Sequence, residues 1–232
     1  MIQIQSLSCH YTDKAVLDTV SLELSEARVG IVGRNGSGKS TLAKAISGLI
    51  RPEQGRILIN GVDVLKDRKA ALSAVGILFQ NPDHQIIFPT VEEEISFGLR
   101  QLGRSKSDAA EETSNLLANF GKSDWAKRPV STLSQGQRHL VCLMSVLAMA
   151  PAVIILDEPF SGLDIPTTRA LQKRLNQLDQ TLIHITHDPS VIADYDRVIW
   201  IEAGKVIADG APDTVLPDYL HVMEAEDADA HL

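Results

Sequence analysis

At the start of the chain apolar and polar residues alternate. Ile2 and Ile4 stand between polar neighbours within 1–7, and 16–24 repeats the period. A period of two predicts strands with one solvent-facing side. Thr12-Asp13-Lys14 between them reads as a turn. Residues 28–32 are more uniformly apolar, as a central strand requires. A helix is expected from 39 to about 47. Beyond it come a turn at 51–55, a strand over 56–59, the Asn60-Gly61 turn and a further central strand over 75–79.

The period changes after Gln80. Asn81-Pro82-Asp83 breaks the chain, and 91–99 has helical spacing around the acids Glu92-Glu93-Glu94. Residues 107–120 predict a second helix, capped by Ser107, with Leu116, Leu117 and Phe120 on its buried stripe. Residues 121–129 read as a loop with a short helical turn, and a helix is expected over 135–149. The strand pattern returns at 153–156 and 181–186, separated by an amphipathic helix over 169–178. That alternation predicts βα units and a mostly parallel arrangement. Strands at 197–201 and 205–208 flank Glu202-Ala203-Gly204 and predict a closing hairpin. The acid- and alanine-rich end, 224–232, is expected to be solvated or frayed. The expected fold is α/β: a core with a mostly parallel sheet, an N-terminal antiparallel β portion and an inserted helical subdomain. Residues 1–80 and 151–222 form the core of one domain, 81–150 the helical subdomain and 223–232 an acidic tail.

Composition narrows the class. The 232 residues are 44% hydrophobic and 22% charged, enough apolar content for a substantial core. The formal charge of -8 argues against a broad nucleic-acid surface. Cys9 and Cys142 make neither a disulfide framework nor a metal cluster, so reduced thiols in the cytosol are expected. No secretory signal and no apolar stretch long enough to span a bilayer is evident.

Chemistry concentrates first in Gly33-Arg34-Asn35-Gly36-Ser37-Gly38-Lys39-Ser40-Thr41. Strand, glycine-rich turn and helix in that order are the context of a phosphate-binding P-loop. Glycines let the backbone turn tightly and aim successive N–H groups at an anion, and the helix start adds more. Lys39 supplies a mobile charge for the β- and γ-phosphates, and Ser40 a hydroxyl for Mg²⁺. Second comes the apolar run 153–156 ending in Asp157 and Glu158. Ligand sites in open α/β sheets form at such strand ends. There Asp157 suits Mg²⁺, directly or through water, and Glu158 suits a water that attacks the γ-phosphate.

Taken in order, the P-loop, Gln80, Leu133-Ser134-Gln135-Gly136-Gln137, the Asp157-Glu158 strand, Ser161-Gly162-Leu163-Asp164 and His187 resemble the ATPase subunit of an ATP-binding-cassette transporter. The resemblance runs from residue 1 to about 220. It implies that Tyr11 stacks on adenine and that Gln80 senses metal, γ-phosphate and water. It further implies that Ser134 and Gly136 meet the γ-phosphate of ATP held by another subunit, within a signature spanning Ser134 to Gln137. Glycine is commoner in the family where this chain has Gln135. Asp164 is implied to face the opposing subunit, and His187 to hold the γ-phosphate.

Such a site needs two copies of the chain, or one copy and a related ATPase. The stretch from Gln80 to Gly98 narrows the resemblance to ATPases of energy-coupling-factor transporters for vitamins or Co²⁺/Ni²⁺. It implies a transmembrane coupling protein and a substrate-binding membrane protein as partners, no contact with the transported solute, and a peripheral place on the cytoplasmic face of the inner membrane. The chain is short for that group, without room for a large C-terminal addition, which points first to biotin, then to cobalt or another vitamin. The other classes are an ATPase acting on nucleic acid or ribosomes, which calls for a coiled-coil insertion or a basic surface, and a module that binds ATP without rapid turnover, against which Glu158 and His187 speak.

Overall fold

The structure, a computed structural model, describes residues 1–11 and 14–229. Thr12 and Asp13 of the expected first turn, and 230–232 of the expected tail, lie outside the described residues. Strands β1 (Ile2–Tyr11), β2 (Lys14–Leu24) and β3 (Arg28–Val32), helix α1 (Lys39–Ile46), strands β4 (Gln54–Ile59) and β5 (Val62–Asp63) and helix α2 (Arg68–Ala74) open the chain. Then come β6 (Val75–Leu78), α3 (Val91–Gln101), α4 (Lys106–Asn119), α5 (Gln135–Ala148), β7 (Val153–Asp157) and α6 (Ile165–Leu175). β8 (Thr181–Ile185), β9 (Arg197–Glu202), β10 (Lys205–Gly210) and α7 (Pro212–Asp229) close it. The chain divides into two compact units, residues 1–71 with 181–232, and residues 72–180.

In the first unit an antiparallel sheet runs β2-β1-β4-β5. Its register sets Ile2 opposite both Leu24 and Ile59, and all three are buried. β3 pairs in parallel with β8 on one side and β9 on the other, and β10 adds to β9 antiparallel. Arg197 anchors the rim, donating to both carboxylate oxygens of Asp209 at 2.6 and 2.7 Å, to Glu26 and to the Glu23 carbonyl. The second unit holds the parallel pair β6–β7 and the inserted helices α3 to α5. Val91, Ile95, Leu117, Trp125, Val141 and Met144 form the helices' shared core. Glu94 is buried there because its carboxylate accepts from the backbone N–H groups of Ile87 and Phe88, both at 2.8 Å.

The α/β class and the inserted helices are as the periodicity predicts, and several details differ. Ser105, not Ser107, caps α4, accepting from Asp108 N at 3.1 Å, while the Ser107 hydroxyl turns back onto Ser105. α6 starts at Ile165 rather than 169, because Asp164 accepts from Thr167 N at 2.8 Å and Pro166 suits a first turn. β6 is not central: among the described residues it pairs only with β7, and α5 buries its apolar run. α7 carries the expected tail as helix to Asp229, with Glu224 and Ala225 exposed. α2, stopped at its start by Asp67 accepting from Ala70 N at 2.9 Å, was not signalled.

His184 on β8 is buried with its Nδ1 at 3.0 Å from the Tyr195 hydroxyl. Desolvation lowers its pKa from 6.5 to about 4, against a smaller opposing pull from the Asp188 carboxylate. Between those values the unfolded chain takes up a proton that the folded chain refuses, so this contribution is full above pH 6.5 and lost as pH falls toward 4. Moving from pH 7 to pH 5 should cost about 2 kcal/mol through this group. Urea unfolding at both values should show that loss in the wild type and not in His184→Gln; equal losses would remove the assignment.

Candidate functional site

In the first unit, α1 begins where β3 runs out of apolar residues. Gly33 has φ +149°, and a Cβ there would lie 2.0 Å from the Ile201 carbonyl oxygen. Gly38 has φ +109°, with the Val16 carbonyl oxygen 2.6 Å from where a Cβ would stand. Only glycine fits either place. Ser37 N donates to Arg34 O at 3.1 Å, and Gly204 N donates to Ser37 O at 2.9 Å, which pins the loop to the β9–β10 turn. Arg34 lies 3.8 Å from the Glu202 carboxylate. Asn35 and Gly36 are exposed at the tip. The buried Lys39 ammonium donates to the carbonyls of Gly33 and Arg34, both at 2.7 Å.

These residues fit a polyphosphate. The Ser37 hydroxyl is buried inside the loop without a hydrogen-bond partner among the described residues, an orphan that a phosphate oxygen would satisfy. Gly38 caps α1 without a side-chain bond, and no acid stands in the helix's first turn. The start of α1 therefore turns its positive end toward the inside of the loop, where a phosphate would sit. Ser40 is exposed in that first turn. Tyr11, at the end of β1, is 52% exposed, enough ring face for stacking. His187 is exposed on a corner held by Thr186 N to Ile31 O at 3.1 Å and by Asp188 N to Thr186 Oγ at 3.0 Å.

The second unit carries the rest. All of β7 is buried and delivers the buried Asp157 at its end. Glu158 follows in the left-handed region, φ 51°, a strained conformation for glutamate. Ser161 N donates to Glu158 O at 3.1 Å, and the Gln80 amide donates to Ser161 Oγ at 3.2 Å. Gln80 and Glu158 thus meet through Ser161, whose hydroxyl had no role in the reading of the motifs. The Gln80 amide and the Asp157 carboxylate offer hard oxygen donors of the kind Mg²⁺ takes, as the Ser40 hydroxyl does in the first unit.

Ser134 caps α5. Its hydroxyl accepts from Gln137 N at 3.3 Å, and the Gln137 side chain accepts from Ser134 N at 3.0 Å. The hydroxyl proton stays available to donate, and α5, like α1, has no acid in its first turn, whereas α3 has three. A Cβ on Gly136 would stand 2.7 Å from the Thr167 methyl, so glycine allows α5 and α6 to touch. The Gln135 amide lies over Gly162, its nitrogen 2.9 Å from where a Cβ would stand. Asp164 spends its carboxylate on the α6 cap, and the side-chain and backbone bonds from Thr167 hold its pKa below the ordinary value. His139, four residues after Gln135, is fully buried, and the sequence reading passed it over. Its only signal is a polar ring on an otherwise apolar helix face.

Residues 17–161 match the ABC transporter family. A biotin transport ATP-binding protein of Rhodobacter capsulatus, BioM, is 49% identical over 97% of this chain and 96% of its own length. The energy-coupling factor transporter ATP-binding protein EcfA of Methanosarcina acetivorans is 35% identical over 94% of this chain and 82% of its own. The dimeric structure of a bacterial ABC transporter cassette superposes with a TM-score of 0.81 at 25% identity, covering 91% of this chain and 99% of that one.

Proposed function

The chain belongs to the ABC transporter family as an ATP-hydrolysing subunit of the energy-coupling-factor type, and from that premise we propose that two copies close over two ATP molecules to drive biotin import. The near full-length likeness to the biotin-transport relative carries the choice of solute. The dimeric cassette structure supports pairing. A two-fold pair would set the Gly33–Thr41 loop of one copy against Ser134, Gln135, Gly136 and Gln137 of the other, with Asp164 beside the joint.

Phosphoryl transfer depends on positioning and electrostatics. Tyr11 stacks on the adenine. The loop N–H groups and Lys39 hold the β- and γ-phosphates. His187 steadies the γ-phosphate, and Ser134 donates its remaining proton to it from the partner side. Glu158 orients the attacking water, with Gln80 beside it. Ser40, Asp157 and Gln80 are the residues that would hold Mg²⁺, which neutralises phosphate charge when bound. No helix among the described residues is long and apolar enough to cross a membrane. In this reading, which the likeness to the energy-coupling-factor relative supports, the chain works as a peripheral subunit on the cytoplasmic face, docked to a transmembrane coupling protein and a substrate-binding membrane protein, and does not touch the solute itself.

The test is co-purification with those membrane subunits and reconstitution in vesicles. ATP-dependent biotin uptake is the expected result. A complex that accumulates cobalt and ignores biotin would move the solute, and capture of RNA or ribosomes without membrane partners would remove transport altogether.

A further inference from the structure

His139 is fully buried in the second turn of α5, where an aliphatic side chain would fill the space at no polar cost. Neither imidazole nitrogen makes a hydrogen bond of regular geometry among the described residues. Burial pushes the pKa of the ring down, the neighbouring backbones of Phe79, Gln80 and Gln135 pull it up, and the Arg138 charge pushes it down. Gln135 lies one turn earlier on the same helix, beside Ser134 and Gly136. Phe79 and Gln80 leave the end of β6. The ring therefore sits between the two segments that carry the proposed water-sensing amide and the partner-facing phosphate contacts.

The rest of that helix face makes the same junction. Arg138 lies 3.1 Å from the Asp83 carboxylate and also donates to Leu133 O at 2.9 Å. The Cys142 sulfur lies 4.0 Å from Pro82 O. A Cβ on Gly76 would stand 2.5 Å from a Val146 methyl. Residues 138, 139, 142 and 146 form one stripe at helical spacing, and Arg138, Cys142 and Val146 each reach β6 or the segment after it. Arg138 is a surface strut, and Cys142 and Val146 are packing. His139 alone in the stripe is both buried and polar, with a ring N–H that a neighbouring backbone carbonyl could accept.

We propose that His139 is a positioning residue, whose imidazole sets Gln80 in register with Ser134–Gln137 so that the two segments move as one body. It acts through Gln80 and touches neither nucleotide nor water. This deepens the reading above and rests on it.

Two variants separate polarity from volume. His139→Leu keeps bulk and loses the ring nitrogens; His139→Gln keeps a donor and an acceptor. In the assembled transporter His139→Leu should lower kcat about tenfold or more, with KM for ATP within about threefold, because misplacement costs turnover while the phosphate cradle is untouched. His139→Gln should recover most of the loss. Hydrogen exchange on the full chain should show amides at 79–83 exchanging faster in His139→Leu than in wild type, and those of 39–46 unchanged. Wild-type turnover and wild-type exchange in His139→Leu would overturn the proposal, and so would equal damage in both variants, the mark of a packing role. Glu158→Gln, run alongside, separates the two readings. If it is inactive while His139→Leu is normal, only the positioning role fails. If it is active, the catalytic assignment fails and the exchange result alone decides for or against His139.

Discussion

Glu158→Gln is expected to keep ATP, lose turnover by about 10²-fold or more, and accumulate as ATP-bound pairs. On the barrier, 10²-fold is about 2.7 kcal/mol, the scale of one well-placed catalytic group. The substitution is close to isosteric. It leaves the Glu158 carbonyl that accepts from Ser161 N, and with it the loop that holds the Gln80 amide. It also leaves the left-handed backbone at this position, which costs about 1–3 kcal/mol and which the surrounding structure already carries. What it removes is the charge that orients a water and takes its proton. The phosphate cradle lies on other residues, Gly33 to Thr41, so binding and closure survive while the step that reopens the pair is lost. ATPase assay of the assembled complex and light scattering with ATP read the two halves separately. Near-normal turnover would end the role given to Glu158. Particles that stay monomeric, alone and with membrane partners, would end the shared site.

The glycine-rich turn was legible because it is local. A uniform apolar strand, glycines at Gly33 and Gly38 and a helix start all fall within a short stretch, and each makes the same demand of the backbone. The buried strand ending in Asp157 was legible for the same reason. Errors came where two local signals competed. Ser105 and Ser107 both suit a cap, and only the β-region backbone of Ser105 decides between them. Pro166, Thr167 and Thr168, all poor helix formers in a helix interior, hid the start of α6, though Asp164 followed by Pro166 marks it. The run at 75–78 is as apolar as a central strand because a helix covers it, a fact that periodicity does not carry. At the site, the motifs named residues without their neighbours. Gln80 is separated from its partner Ser161 by 81 positions. His139 gains its meaning only when β6 and α5 are side by side, a long-range contact that no window of sequence contains.

Lys39→Ala is expected to remove most of the stabilisation that ATP confers on the folded chain. In the wild type, ATP at 100 times its dissociation constant should add about 2.7 kcal/mol. The ammonium is buried, and its bonds to Gly33 O and Arg34 O hold it inside the loop. A charge in that place strengthens every phosphate contact, since hydrogen bonds to charged groups contribute about 1.5–3 kcal/mol each. Losing one such contact weakens binding about 100-fold, so the same ATP concentration would add only about 0.4 kcal/mol. The apo protein should also lose some stability, because two loop carbonyls lose their donor. That loss appears without nucleotide and is subtracted by comparing each protein with and without ATP. Lys44, in the last turn of the same helix, supplies the control. Lys44→Ala removes an equal charge away from the helix start, and its ATP-induced shift should stay that of the wild type. Thermal unfolding of the three proteins with and without Mg-ATP makes the measurement. A shift in Lys39→Ala equal to the wild-type shift would mean that the phosphate is held by loop N–H groups alone, and that the buried ammonium serves only to close the loop on itself.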